Sequence, residues 1–591
     1  MSPVLSAHGL TVGFEGASEP SLRGLNLELQ RGMAVGLVGA SGSGKSLLAR
    51  ALLGLLPAGA KRLAGTVRFE QQALESERAF ARVRGIRVAY VFQDAAASLH
   101  PLQRVGAQLL ECVAVHKLVR GAMARRARVT SALAEVGLDS DAHILRAFPH
   151  QLSGGQRQRV MLALTLLPNP SVLIADEPTS ALDAVLARRI CALLAELVRA
   201  RGLALLLISH DLPRVAEICA QMHVLERGSL VESGTSQSLL MRPQHPATQR
   251  LSAALHATRP PPETAKAGAS QLSASALSVS YRRAWRWPWQ RPPDAALSAI
   301  DLLLTAGLRL GVVGSSGSGK STLARALLGL LPPLQGQVCW FGENFLQLSA
   351  RRQRALRPRV QLVFQDPFRS LDPLQRVDRM LAEALSHSPR GKISSALDRG
   401  QRAHQLLLAV GLDSEALDRY PSQFSGGQRQ RLAIARALAT DPDVLICDEA
   451  TSALDSATQN QVLDLLDQLA RERGIALLFI AHDLLAVARL CQQVMVLEQG
   501  RVVEFGDAAA CIAAPQSNAL RELVEALPVS LRQRLSQVGS SPPGRRSGHS
   551  HDRGGSDIDP HCSVSDAPRT ASVNSNLVSA RGLDPTYNDS T

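Results

Sequence analysis

A glycine-rich loop occurs twice in this chain, each copy closing an apolar run and opening a helical pattern. The first reads Gly39, Ala40, Ser41, Gly42, Ser43, Gly44, Lys45, Ser46; the second reads Gly314, Ser315, Ser316, Gly317, Ser318, Gly319, Lys320, Ser321. A backbone that wraps a polyphosphate must turn successive N–H groups inward, which calls for glycine where the chain is tightest, and the following helix adds a favourable dipole. Lys45 and Lys320 then neutralise phosphate charge, and Ser46 and Ser321 offer hydroxyls to Mg2+. Two such loops predict two ATP sites on one polypeptide.

Further residues repeat in fixed register. Gln93 and Gln365, Ser153 and Ser425, Glu177 and Glu449, and His210 and His482 are each 272 positions apart. Asp176 and Asp448 end apolar runs, where a carboxylate can hold a metal-bound water; Glu177 and Glu449 follow, placed to orient or deprotonate an attacking water. His210 and His482 end the next apolar runs, 33 residues after each glutamate. They suit a γ-phosphate sensor, the ordinary alternative being a core histidine held by its neighbours. Ser153 with Gly154, Gly155 and Gln156, and Ser425 with Gly426, Gly427 and Gln428, combine a hydroxyl with glycine N–H groups at a helix start, an anion site half built without nucleotide.

Alternating segments at 10–14, 25–29, 277–281 and 297–304 read as strands, and apolar runs at 34–38, 172–175, 204–209, 310–313, 444–447 and 476–481 read as buried ones. Helical periodicity follows each loop, at 47–56 and 323–331, and recurs at 105–115, 125–136, 377–385 and 403–410. This order implies an α/β fold with a largely parallel sheet covered on both faces and a helical subdomain inserted into it. A chain of 591 residues exceeds what one core supports. The repeat divides it into ATPase domains at 1–255 and 272–535, a proline-bearing linker at 256–271, and a polar tail at 536–591 expected to be disordered.

No apolar run approaches the ~18 to 20 residues that span a bilayer. The first residues carry neither a basic region nor a sustained apolar one, so no signal peptide is expected and the cytoplasm is the expected compartment. Eight cysteines form no Cys-x-x-Cys pair, which favours reduced thiols. The net charge is +14, but arginines are dispersed and no basic stretch is interleaved with aromatics, so no nucleic-acid partner is expected.

Together these motifs resemble the ATP-binding subunits of ATP-binding cassette (ABC) transporters, over about residues 1 to 530. The family's signature stands at Leu152 to Gln156 and at Phe424 to Gln428, and its D-loop at Ser180 to Asp183 and Ser452 to Asp455. The resemblance implies two tandem P-loop ABC ATPase domains, each with a RecA-like parallel-sheet core, an antiparallel β subdomain and a helical subdomain. It implies that each ATP lies between the glycine loop of one domain and the signature of the other. Carried over residue by residue, the nucleotide contacts fall on the two loops, including Thr322, on both signatures, and on Asp183 and Asp455. Gln93 and Gln365 join Ser46, Asp176, Ser321 and Asp448 around Mg2+, and Phe14 and Tyr281 stand where the family stacks adenine. Ala450 replaces the proline found at Pro178, a departure that touches no phosphate.

Residues 94–101 and 366–373 resemble the Asp-Pro-x-x-Ser-Leu-x-Pro pattern of dipeptide, oligopeptide and nickel importers, and Pro243 to Pro246 a second element of that group. This implies the energy-coupling ATPase of a peptide importer, similar to microcin C or oligopeptide uptake systems. Implied partners are two integral membrane permease subunits and, through them, a periplasmic or extracellular substrate-binding protein, with the chain peripheral on the cytoplasmic side of the inner membrane. Nickel or glutathione import is an alternative, as is a soluble tandem ATPase acting on ribosomes, although the linker is short where that class carries a long charged helix. Trp285, Trp287 and Trp289 resemble insertions in second domains of peptide importers and read either as a membrane-surface element or as a hairpin tip. His549, His551, His561 and Cys562 read as a metal site or as a solvated tail.

Overall fold

A computed structural model describes residues 2–40, 42–92, 98–138, 142–179, 182–256, 268–281, 295–364, 370–388, 395–451 and 456–538. Ser41, Gln93, Gln365, Asp455, the Trp285 to Trp289 insertion and the histidines of the tail lie outside the described residues. The first half holds strands β1 (Leu5–Phe14), β2 (Leu22–Leu29), β3 (Ala34–Val38), β4 (Ala60–Phe69), β5 (Gln72–Ala73), β6 (Val88–Val91), β7 (Val172–Asp176), β8 (Ala204–Ser209), β9 (Gln221–Glu226) and β10 (Ser229–Thr235). The second holds β11 (Ser270–Val279), β12 (Leu297–Thr305), β13 (Arg309–Val313), β14 (Gln335–Trp340), β15 (Glu343–Asn344), β16 (Val360–Val363), β17 (Val444–Asp448), β18 (Ala476–Ile480), β19 (Gln493–Glu498) and β20 (Arg501–Asp507).

Each half builds the same two sheets. One is antiparallel, in the order β2-β1-β4-β5 or β12-β11-β14-β15. The other has six strands, β10-β9-β3-β8-β7-β6 or β20-β19-β13-β18-β17-β16, parallel except for the antiparallel edge pair β9-β10 or β19-β20. Strands buried on both faces need apolar residues at every position, and alternate residues then serve different cores. Val172 and Ile174 of β7 join Leu5, Leu27 and Leu48 under the antiparallel sheet, whereas Leu173 and Ala175 join Leu109, Leu133 and Leu162 of the helical region. This double coverage fixes where β7 ends, and with it the position of Asp176.

The helix after the first loop spans Lys45–Leu52, stopping short of the expected 56. Gly54, at φ 66°, ends it: Leu55 N–H reaches Arg50 O (2.8 Å) and Gly54 N–H reaches Ala51 O (3.1 Å), the paired bonds of a Schellman motif. Gly329 ends the second loop's helix, Lys320–Leu327, in the same way.

The two halves belong to one compact unit. Their contact is reciprocal: the helix Pro246–His256 packs on Ser456–Arg473, and the helix Asn518–Glu525 packs on Ala184–Arg201, elements equivalent under the 272-residue repeat. Arg188 pairs with Glu525 (3.7 Å), and Glu217 Oε1 accepts from Val529 N–H (3.0 Å). No helix among the described residues is long and apolar enough to cross a membrane.

Candidate active sites

Strand β3 runs into the first loop and β13 into the second, so both loops sit at the carboxyl end of a parallel strand with a helix start behind them. Gly44 and Gly319 precede those helices at φ 107° and 105°, a region that disfavours any side chain. At Gly39 the constraint is space: an added Cβ would lie 2.3 Å from the backbone oxygen of Leu225. Lys45 folds back to donate to Gly39 O (2.8 Å) and Ala40 O (2.9 Å), and Lys320 does the same to Gly314 O (2.8 Å) and Ser315 O (2.9 Å). Both ammonium groups are buried against the loop; burial lowers the pKa of Lys320, while Glu449, Asp183 and Asp448 oppose that shift. Gly42 and Gly317 also take positive φ.

Asp176 ends β7 and is only 2% exposed. Its Oδ2 accepts from the Tyr90 hydroxyl (2.8 Å), and its Oδ1 is buried with no hydrogen-bond partner among the described residues. A buried carboxylate oxygen left without a donor fits a cation. Ser46 and Asp176 in the first half, and Ser321 and Asp448 in the second, are the residues that would hold Mg2+, which would supply charge neutralisation at the phosphates. In the second half Ser321 Oγ donates to Asp448 Oδ1 (3.1 Å), and burial raises the Asp448 pKa.

Glu177 and Glu449 stand at φ 47° and 50°, strained backbone just past the carboxyl ends of β7 and β17. His210 Nδ1 lies 3.2 Å from Glu177 Oε1, and that hydrogen bond raises the histidine's pKa against the opposing effect of burial. His482 Nδ1 stands 3.9 Å from Glu449 Oε2, a looser pair. Each half thus brings its glutamate and histidine together from neighbouring strands.

Both signatures fold as capping boxes. Ser153 Oγ accepts from Gln156 N–H (3.2 Å) while Gln156 Oε1 accepts from Ser153 N–H (3.0 Å), starting the helix Gly154–Leu166; Ser425 and Gln428 repeat this before Gly426–Leu438. An added Cβ on Gly154 or Gly426 meets nothing within 4 Å, so both face open space, whereas at Gly155 it would strike Leu186. Gly427 sits in the first turn of its helix. Phe14 ends β1 with its ring exposed, and Tyr281, exposed beyond β11, bonds Thr322 Oγ1 through its hydroxyl (2.8 Å).

Among the described residues a hydrogen bond joins the halves at a site. Asp183 caps the helix Ala184–Arg201 through Oδ1, which accepts from Leu186 N–H (2.9 Å), and its Oδ2 accepts from Ser316 N–H in the other half's loop (3.2 Å). Val185 packs on the second half's core beside it. Tyr90 escaped the sequence reading. Tyrosine in an apolar strand reads as packing, and only setting it beside Leu362 of the other half shows that the two sites differ here.

The family model described as ABC transporter matches residues 22–180 and 297–452. The chain is 39% identical over 536 residues to the peptidoglycan transport ATP-binding protein YejF of Agrobacterium fabrum, covering 89% of this chain and 96% of the relative. It is 38% identical over 565 residues to the glutathione import ATP-binding protein GsiA of Salmonella typhimurium, covering 89% and 90%. Among solved structures, the archaeal ribosome recycling factor aABCE1, in complex with the ribosomal stalk protein aP1, aligns with a TM-score of 0.58 at 20% identity, covering 85% of this chain and 91% of that one. That last likeness is one of fold.

Proposed function

This chain belongs to the ABC transporter ATP-binding proteins, with two cassettes on one polypeptide, and on that premise we propose that it powers an importer whose cargo contains a short peptide. It is an ATPase that binds ATP, and as an ATP-binding transport subunit it works with membrane permeases. The reading of the sites is that each ATP is clamped between the glycine loop of one cassette and the signature of the other, with Mg2+ at Ser46 and Asp176 or Ser321 and Asp448. Glu177 and Glu449 orient or deprotonate the attacking water, and His210 and His482 hold each glutamate and sense the γ-phosphate.

The observation that carries this reading is the Asp183 to Ser316 bond, which brings the first cassette's D-loop onto the second cassette's phosphate loop. A triphosphate there supplies the negative charge that the half-built anion sites at Ser153 and Ser425 lack, so binding draws the cassettes together and hydrolysis releases them. Glu177→Gln with Glu449→Gln should trap ATP in a closed form; continued turnover of that double variant removes both glutamates from the catalytic role.

Peptide-type cargo is favoured because the two relatives' names specify peptidoglycan and glutathione, both of which contain a short peptide. Uptake of labelled glutathione, peptidoglycan fragments and short peptides by cells with and without this chain tests it; equal uptake of all three overturns it. We place permease docking on 93–111 and 365–383. Leu102 and Leu374, equivalent under the repeat, stand 82% and 87% exposed there and offer the same apolar contact in each cassette. Leu102→Asp with Leu374→Asp should keep basal hydrolysis and lose stimulation by the permeases, and unchanged stimulation refutes the assignment. The two permeases, their substrate-binding protein and a peripheral position on the cytoplasmic face follow from the same reading.

A further inference from the structure

We propose that Tyr90 is a positioning residue for Asp176, giving the first ATP site a dedicated orienter of its metal-binding carboxylate that the second site lacks. The inference rests on the reading that Asp176 faces Mg2+. Strand β6 lies beside β7 with Tyr90 in register with Ile174, and its ring packs edge-on against Phe92, centroids 4.6 Å apart. This aims the hydroxyl at Asp176 Oδ2, 2.8 Å away, and leaves the buried Oδ1 without a protein donor among the described residues. One carboxylate oxygen is therefore fixed by an uncharged donor while the other remains free for a cation. Arg50 also faces the tyrosine hydroxyl.

The second half has the same strands in the same register, with Leu362 opposite Ile446. Leucine donates nothing. Asp448 instead takes its hydrogen bond from Ser321, the hydroxyl that would itself ligate the metal. At the second site one group must serve as both ligand and orienter; at the first these tasks are divided. Outer-shell donors to ligating carboxylates typically carry about 10- to 100-fold in metal affinity, so the first site should hold its metal more tightly than the second.

The test uses full-length protein carrying Glu177→Gln and Glu449→Gln, loaded with ATP and titrated with Mn2+, bound ion being read by electron paramagnetic resonance. Adding Asp448→Asn makes the first site the reporter. In that background Tyr90→Phe, which keeps the ring against Phe92, should weaken Mn2+ binding about tenfold, and Tyr90→Leu, which copies the second site, should do the same. In the complementary Asp176→Asn background Tyr90→Phe should change nothing. Unchanged Mn2+ affinity for both Tyr90 variants at the first site overturns the proposal. Should Asp176→Asn added to the Asp448→Asn protein also leave Mn2+ binding unchanged, the metal reading of Asp176 itself falls, a result separable from failure at Tyr90 alone.

Discussion

Asp183→Ala removes two bonds at once, and the two can be separated. The cap on the helix Ala184–Arg201 is worth about 1 kcal/mol. The bond across to Ser316 N–H joins a carboxylate to an amide, a class worth about 1.5 to 3 kcal/mol, and at 3.2 Å it belongs near the lower end. Asparagine caps as well as aspartate, so Asp183→Asn keeps the bond from Leu186 N–H, but its one side-chain oxygen is then used and its NH2 group, a donor, faces Ser316 N–H, so the second bond is lost. Because Ser316 lies in the second cassette's loop, the loss should appear at the site that uses Glu449. In a Glu177→Gln background, where on the proposed roles only that site turns over, Asp183→Ala and Asp183→Asn should each slow ATP hydrolysis about tenfold, while in thermal melts only Asp183→Ala should also show the loss of the cap. In a Glu449→Gln background Asp183→Ala should cost far less. Steady-state hydrolysis in the two backgrounds decides the matter: equal losses would mean that Asp183 acts only within its own cassette, and the cross-cassette argument would be refuted.

Other outcomes follow from the same geometry. Arg309 and Asp467 form a buried ion pair (2.7 Å) where the first cassette has Ala34 and Ala195. Arg309→Met should destabilise the second cassette by no more than about 3 kcal/mol, since Arg471 Nε still donates to Asp467 Oδ1 (3.0 Å), while Arg309→Met with Asp467→Ala should recover most of the loss; a double variant no more stable than the single in thermal melts contradicts this. Gly39→Ala should abolish ATP binding at the first loop, measured by calorimetry in an Asp448→Asn, Lys320→Ala background, because the added carbon cannot fit beside Leu225 O. The Glu177 bond raises the His210 pKa. Its stabilising share is therefore complete below the ordinary value of about 6.5 and lost as pH rises through the folded-state value. Titration by NMR should show His210 moving back toward that value in Glu177→Gln, and an unmoved titration would remove the pair from the account.

What the sequence made legible was whatever depends on local patterning. The glycine loops, the apolar strands that deliver Asp176 and Asp448, and the signature serines at helix starts all carry their signal within a few residues, and the structure has each on the expected kind of element. The helix after each loop was read too long because Leu53, Leu55 and Leu56 continue the apolar pattern, while Gly54 stops it through backbone geometry that hydrophobicity does not report. Strands β4, β9 and β10 were not read at all. β4 shifts register against β1 near Gly9 and Gly65, which breaks the alternation. Contacts between distant segments left no mark in local patterning: the Tyr90 to Asp176 bond joins two strands 86 residues apart, and the packing of helices Pro246–His256 and Asn518–Glu525 on the other cassette spans the whole repeat.

The central claim, that nucleotide is shared between cassettes, is tested most directly by an ATP-bound structure of the Glu177→Gln, Glu449→Gln protein. The account predicts one triphosphate touching Lys320 and Ser153 and another touching Lys45 and Ser425. Two nucleotides that each contact the loop of one cassette and no signature residue of the other would contradict it.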